Sequence, residues 1–228
     1  MDREAARRRL DALASRYHEV ASRREHDAGL AARMRALADY QSRRLAATYA
    51  DLREQPRYGP AVDFFLADLY GPRDMRERDR QVLRALDKLK RFLPAAALDA
   101  LARAFELHVL TIELDADTAM QLRSSSRPDD AGYAKAYRAA GRPRDRDHQV
   151  ALIGEIGALL DSLAHRPEVG LAIRLARGPA HAAGYGQLQD FLERGYDAFR
   201  QLDGAGEFLA AIDGRERALM QRLFAGAG

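Results

Sequence analysis

Residues 94–122, PAAALDALARAFELHVLTIELDADTAMQL, decide the fold class, because they carry apolar side chains at helical spacing on two sides at once. Leu98, Leu101, Phe105, Val109 and Ile112 form one stripe, and Leu107, Leu110 and Leu114 form the other. A helix that is apolar on two sides has to be covered on two sides, which predicts a central position in a bundle. Pro94 fits the first turn, where its missing N–H costs nothing.

The same period extends outward in both directions. Leu10, Leu13, Tyr17 and Val20 make one stripe of a first helix over 2–26, and arginines cover its other faces. Gly29 permits a break. A second helix over 30–54 then carries Leu30, Met34, Leu37, Leu45 and Leu52 until Pro56 stops it. A short helix opens at Pro60 and ends at Gly71-Pro72, and Asp74 caps the next one. Glu77 stands at capping-box spacing from that cap and Arg78 at ion-pair spacing. Beyond the central helix, residues 147–165 carry Leu152, Ile153, Ile156, Leu159, Leu160 and Leu163, while Gly154 and Gly157 leave room for another backbone. A short helix over 168–177 is expected to stop at Gly178-Pro179. It is followed by a helix to about residue 202, with Leu188, Phe191, Gly195, Phe199 and Leu202 on one face, and by a last helix over 206–224.

No run of β-branched residues alternates with polar ones. The expected fold is all-α, a multi-helix bundle of about eight to ten helices around a central apolar helix. Residues 1–57 read as a basic helical hairpin packed on a core domain of residues 58–228.

With 47% hydrophobic residues the 228-residue chain can bury a core. Its longest apolar runs fall short of the roughly 20 residues that a membrane helix needs. The first residues have neither an apolar run nor a small-residue cleavage site, so no signal peptide is read and the expected location is cytoplasmic. The absence of cysteine excludes disulfides, thiol nucleophiles and thiolate metal sites. Basic residues (37) and acidic residues (34) nearly balance, and 34 of the basic ones are arginine. The excess is local, with 13 arginines against 9 acidic residues in 1–57. An electrostatic surface is therefore sought at Arg7, Arg8, Arg9, Arg16, Arg23 and Arg24, although interspersed acids and few aromatics disfavour nucleic acid there.

The common chemistries leave no signature. A carboxylate-bridged di-iron bundle needs Glu-x-x-His pairs, and none occurs. Asp145-x-x-His148 is the nearest relative, and Asp145 at a helix start reads as a cap rather than a ligand. The P-loop, the dinucleotide glycine fingerprint, His-Glu-x-x-His and Gly-x-Ser-x-Gly are absent. No catalytic residue, metal ligand or cofactor is assigned. Three residues remain as candidates for a ligand pocket. His108 lies beside the stripe of Leu101, Phe105 and Ile112. Glu155 has Ala151, Leu152, Ala158 and Leu159 as helix neighbours, and Asp68 sits among Phe64, Phe65 and Leu69. Burial would raise the pKa of either carboxylate.

The segments FFLADLYGPRD (64–74), RALDKLKRFLP (84–94), LTIELD (110–115), YAKAYRAAGRPRDRDHQVALI (133–153) and LQDFLERGYDAFRQL (188–202) together resemble a family of uncharacterised helical proteins of proteobacteria. The resemblance spans roughly residues 58–224, implies a single bacterial helical domain and transfers no catalytic residue. The reading that follows is a non-enzymatic interaction or regulatory protein that meets a protein partner or itself through apolar helix faces. Two alternatives stand beside it. One is a pocket for haem, lipid or another apolar ligand near His108 and Glu155, and the other is a nucleic-acid binder using the basic N-terminal arginines.

Overall fold

Helix α1 (Arg3–His26) starts where the Asp2 carboxylate accepts a hydrogen bond from the Ala5 amide at 2.7 Å. It ends at Asp27, whose own carboxylate accepts from the Leu30 amide at 2.8 Å and so opens α2 (Ala28–Thr48). Caps of this kind contribute about 1 kcal/mol each. One aspartate thus separates the two helices, and Gly29 lies just past the break, inside the first turn of α2.

The computed structural model describes residues 2–69, 76–92, 95–123 and 127–226, and their side chains except those of residues 68, 69, 76–79, 89, 92 and 96. After α2 come a four-residue α3 (Ala50–Arg53) and α4 (Gly59–Phe64), which continues into one π-helical turn over Phe65–Leu69. The remaining helices are α5 (Arg76–Phe92), α6 (Ala95–Gln121), α7 (Asp130–Ala140), α8 (Pro143–Ala164), α9 (Pro167–Ala182), α10 (Gly186–Leu202) and α11 (Gly206–Ala225). No strand occurs among the described residues. The fold is all-α. The break at Gly71-Pro72, the Asp74 cap with the Glu77 and Arg78 side chains, and Pro94 lie outside the described residues.

Helix α6 occupies the centre, with α1, α2, α7 and α8 packed on it. Its two apolar stripes serve different neighbours. Leu98, Ala102, Phe105 and Val109 bury against Ala6, Leu10, Leu13 and Tyr17 of α1, while Leu110 and Leu114 meet Leu152 of α8. Beside the first seam, Arg9 reaches Glu106, Arg16 reaches Glu113 and Arg23 reaches the Met120 sulfur. Both helices advance by seven residues at each step, so α1 and α6 run parallel in a heptad register. Two further apolar clusters complete the core. Tyr133 and Tyr137 of α7 join Leu30 and Leu37 of α2, and Val62, Phe199, Leu202 and Phe208 pack together around α10.

Two boundaries differ from the sequence reading. Helix α8 starts at Pro143, four residues early, which puts Asp145 in its first turn instead of at its cap, where it binds Arg142 at 2.7 Å. Helix α9 runs through Gly178-Pro179 to Ala182. A proline inside a helix removes one hydrogen bond and crowds the residue before it. Gly178 has no Cβ to be crowded and this last turn is exposed, so the helix persists. Gly157 does serve close packing, because a Cβ there would collide with Leu209 of α11.

Candidate functional site

The apolar stripes of four helices are interrupted by polar residues at core-facing positions. On α11, Phe208, Ile212, Glu216 and Met220 follow one another at four-residue steps. On α8, Arg146 and Gln149 precede Val150 and Ile153 on one face, and on α2, Gln41 and Arg44 adjoin Leu45. Thr111 and Asp115 of α6 stand four apart. All of these side chains, with Tyr49, Tyr133 and Tyr137, line one cavity of about 100 Å³. Its apolar lining comes from Val62, the π-helical turn through Phe65 and Leu66, Ile153, Phe208 and Ile212.

The polar wall is built as a set of short circuits. Arg44 donates to both oxygens of Glu216, at 3.1 and 3.2 Å, and the Tyr49 hydroxyl donates to the same carboxylate at 2.8 Å. Burial works against the Arg44 charge, but Glu216 outweighs it and holds the guanidinium pKa above its ordinary value. The Arg44 Nε is buried without a hydrogen-bond partner among the described residues. Arg146 is 6% exposed. It donates to the Thr118 hydroxyl at 2.8 Å and to the Gly141 carbonyl at 3.2 Å, and its guanidinium lies 3.6 Å from the centre of the Tyr137 ring.

Asp115 has a neutral partner, the Gln41 amide at 2.9 Å. Burial pushes its carboxyl up, against the lowering effect of Gln41, Arg146 and Arg44. Burial also pushes Tyr133 up to about 12 and raises Tyr137. Gln149 donates to Thr111 at 2.8 Å. The wall therefore offers fixed cations, one compensated carboxylate and one carboxyl whose pKa burial raises. Such a set can orient the polar end of a small molecule while the apolar wall covers the rest.

The sequence candidates lie elsewhere. His108 is half-buried on the α1 side of α6, stacked on Tyr17 at 5.8 Å and on Phe105 at 6.3 Å. Glu155 is exposed and paired with Arg103. Neither lines the cavity. The side chain of Asp68 lies outside the described residues. Asp145 and His148 do not converge, since Asp145 holds Arg142 and His148 contacts Glu106 at 3.1 Å. Among the described residues no group of three or more His, Asp and Glu side chains could hold a metal ion, and no helix is long and apolar enough to cross a membrane.

Several of the basic N-terminal residues are engaged internally. Arg16 binds both oxygens of Glu113 at 2.8 and 2.6 Å, and this hydrogen bonding raises its pKa. Arg9 holds Glu106, Arg7 donates to the Lys90 carbonyl at 2.8 Å, Arg8 lies 3.6 Å from Glu4, and Arg23 contacts Met120. Arg24 is half-buried.

Arg44, Asp115, Arg146 and Glu216 escaped the sequence reading. The signal was present as a charged residue at an apolar-stripe position on each of four helices. A single such residue reads as a solvated face, and only the fold shows that the four converge. A family model described as "Domain of unknown function (DUF8198)" matches residues 20–228, reaching further toward the N-terminus than the resemblance noted above. No curated protein and no solved structure matches the chain.

Proposed function

The chain therefore belongs to the DUF8198 domain family, and we propose from its cavity that it is a non-catalytic helical receptor for a small molecule with one polar and one apolar end. The carrying observation is the union in one partly open cavity of Arg44, Asp115, Arg146 and Glu216 with apolar lining from Val62, Phe65, Leu66 and Phe208. Ionisable groups taken out of water cost several kcal/mol each, and apolar replacements of similar volume are often neutral or stabilising. Stability alone does not account for four of them around a void. An engineered cavity of about 150 Å³ takes up benzene. A cavity of about 100 Å³ then suits a ligand of about four non-hydrogen atoms by the same scaling, or slightly more where the opening admits part of it.

The test is ligand-detected NMR with propanol, butanol, butyrate and butyramide against the protein and its Ile153→Phe variant. The larger ring is expected to fill the space, abolish binding and leave the melting temperature within a few degrees. Absence of binding by all four probes, or equal binding to both proteins, refutes the receptor.

A second reading, self-association, rests on apolar side chains left in water at α9 and α10. Leu171, Leu175 and Leu192 are 53%, 69% and 44% exposed. A strict monomer at high concentration in light scattering would remove it. The engagement of Arg9 and Arg16 with α6 speaks against nucleic-acid binding by the N-terminal arginines. A bacterial, cytoplasmic setting is part of the same proposal, supported by the arginine-rich, cysteine-free composition.

A further inference from the structure

An open groove of about 1390 Å³ runs between α2 and α11. Helix α2 contributes Tyr40, Arg43, Arg44, Ala47 and Thr48, and α11 contributes Arg215, Ala218, Leu219, Arg222 and Leu223. Both sets follow the spacing i, i+3, i+4, i+7, i+8, so each wall is one continuous face about 12 Å long. Ala131 and Ala134 of α7 also line the groove. The small side chains Ala47, Ala131, Ala134 and Ala218 leave room for another helix to approach closely.

The charges separate into two groups. Arg44 is held by Glu216 and Arg215 by Asp51, while Asp129 accepts from the Gly132 amide and Asp130 from the Tyr40 hydroxyl. Arg43, Arg127 and Arg222 are exposed, and none of them makes an ion pair among the described residues. Three guanidinium groups outside ion pairs, of which Arg43 also donates to the Asp39 carbonyl at 3.1 Å, thus outnumber the two carboxylates without an ion pair among the described residues, Asp129 and Asp130, around a slot with the dimensions of two to three helical turns.

We propose that this groove docks an acidic amphipathic helix of a partner protein, with its apolar face against Ala47, Ala218, Leu219 and Leu223 and its carboxylates toward Arg43, Arg127 and Arg222. The helix-in-groove mode uses this combination of a concave apolar slot and a charged rim. A bilayer meets convex surfaces, and a concave slot between two helices does not present its leucines to one. Nucleic acid calls for stacking surfaces and cations along a backbone track, whereas here Tyr133 is buried, Arg44 and Arg215 are held in ion pairs, and Asp129 and Asp130 interrupt the remaining cations. The inference is independent of the small-molecule reading, because variants of the rim leave the cavity lining intact.

The test selects binders from a display library of random 14-residue peptides, using the full chain and its Arg43→Glu/Arg127→Glu/Arg222→Glu variant. All three positions are exposed and outside ion pairs, so the variant is expected to fold, and circular dichroism checks that it does. The expected pool carries apolar residues at i, i+3 or i+4, and i+7, with Asp or Glu beside them. Its members should bind the variant about 10- to 100-fold more weakly, since three attractive pairs become repulsive ones. Replacing the acids of a selected peptide by lysine should reverse that preference. A pool without acidic residues, a pool that binds both proteins equally, or no pool at all overturns the proposal. So does binding of single-stranded DNA or phosphatidylserine vesicles through these arginines in place of a peptide.

Discussion

Replacing Glu216 by Leu removes the acceptor of three hydrogen bonds, two from Arg44 and one from Tyr49. The Arg44 side chain is only 18% exposed, that of Glu216 17%, and an arginine cannot shed its charge by deprotonation. Breaking a fully buried pair on one side costs about 3–5 kcal/mol, and the residual exposure here reduces that to about 2–3 kcal/mol. For a chain of this size such a loss lowers the melting temperature by about 4–12 °C. Arg44→Met is expected to cost less, because Glu216 keeps the Tyr49 hydroxyl at 2.8 Å and no buried cation is left without its counter-ion. The double variant Arg44→Met/Glu216→Leu replaces the pair by apolar volume and should lie within about 1 kcal/mol of the parent. Urea denaturation of all four proteins at pH 7 gives the cycle. A double variant whose loss equals the sum of the singles, or a Glu216→Leu protein within about 0.5 kcal/mol of the parent, would show that the pair is not coupled and would remove the polar wall as described.

Two other perturbations follow from particular contacts. Asp115 has its folded-state pKa raised by burial, so folding is less favourable with this carboxyl ionised than with it protonated. Its contribution to stability is neutral below the unfolded value near 3.8 and becomes a penalty as pH rises through the folded value. Asp115→Asn keeps an oxygen to accept from Gln41 and is expected to match or exceed the parent's stability at pH 7 while flattening the decline above about pH 4. A loss of more than about 1 kcal/mol at pH 7 would mean that Asp115 is ionised and held by Arg146. Gly157→Val forces side-chain atoms into the place of Leu209 and is expected to cost about 1–3 kcal/mol by overpacking. Unchanged urea stability would mean that α8 and α11 do not pack as described.

Elements were legible where one local rule was enough. The two stripes of residues 94–122 placed α6 at the centre because both had to be covered, and α1 followed from periodicity alone. The start of α8 was misjudged because the polar run before its apolar stripe looked like a loop. Gly178-Pro179 misled because the rule that proline stops a helix assumes a crowded residue before it. The candidate site was legible only in part, for a physical reason. His108 and Glu155 attracted notice as lone polar groups near apolar stripes. A half-buried histidine can be accommodated by stacking on Tyr17 and Phe105, and a carboxylate at a stripe edge can reach an arginine such as Arg103. Neither device needs a ligand. Arg44, Asp115, Arg146 and Glu216 are different, because they come from four helices and meet around a void, and the register of α2, α6, α8 and α11 that brings them together is a long-range property. Arg44, Tyr133 and Leu219 line both the inner cavity and the outer groove. Glu216 lines only the inner cavity, so the Arg44–Glu216 pair marks the partition between the two spaces.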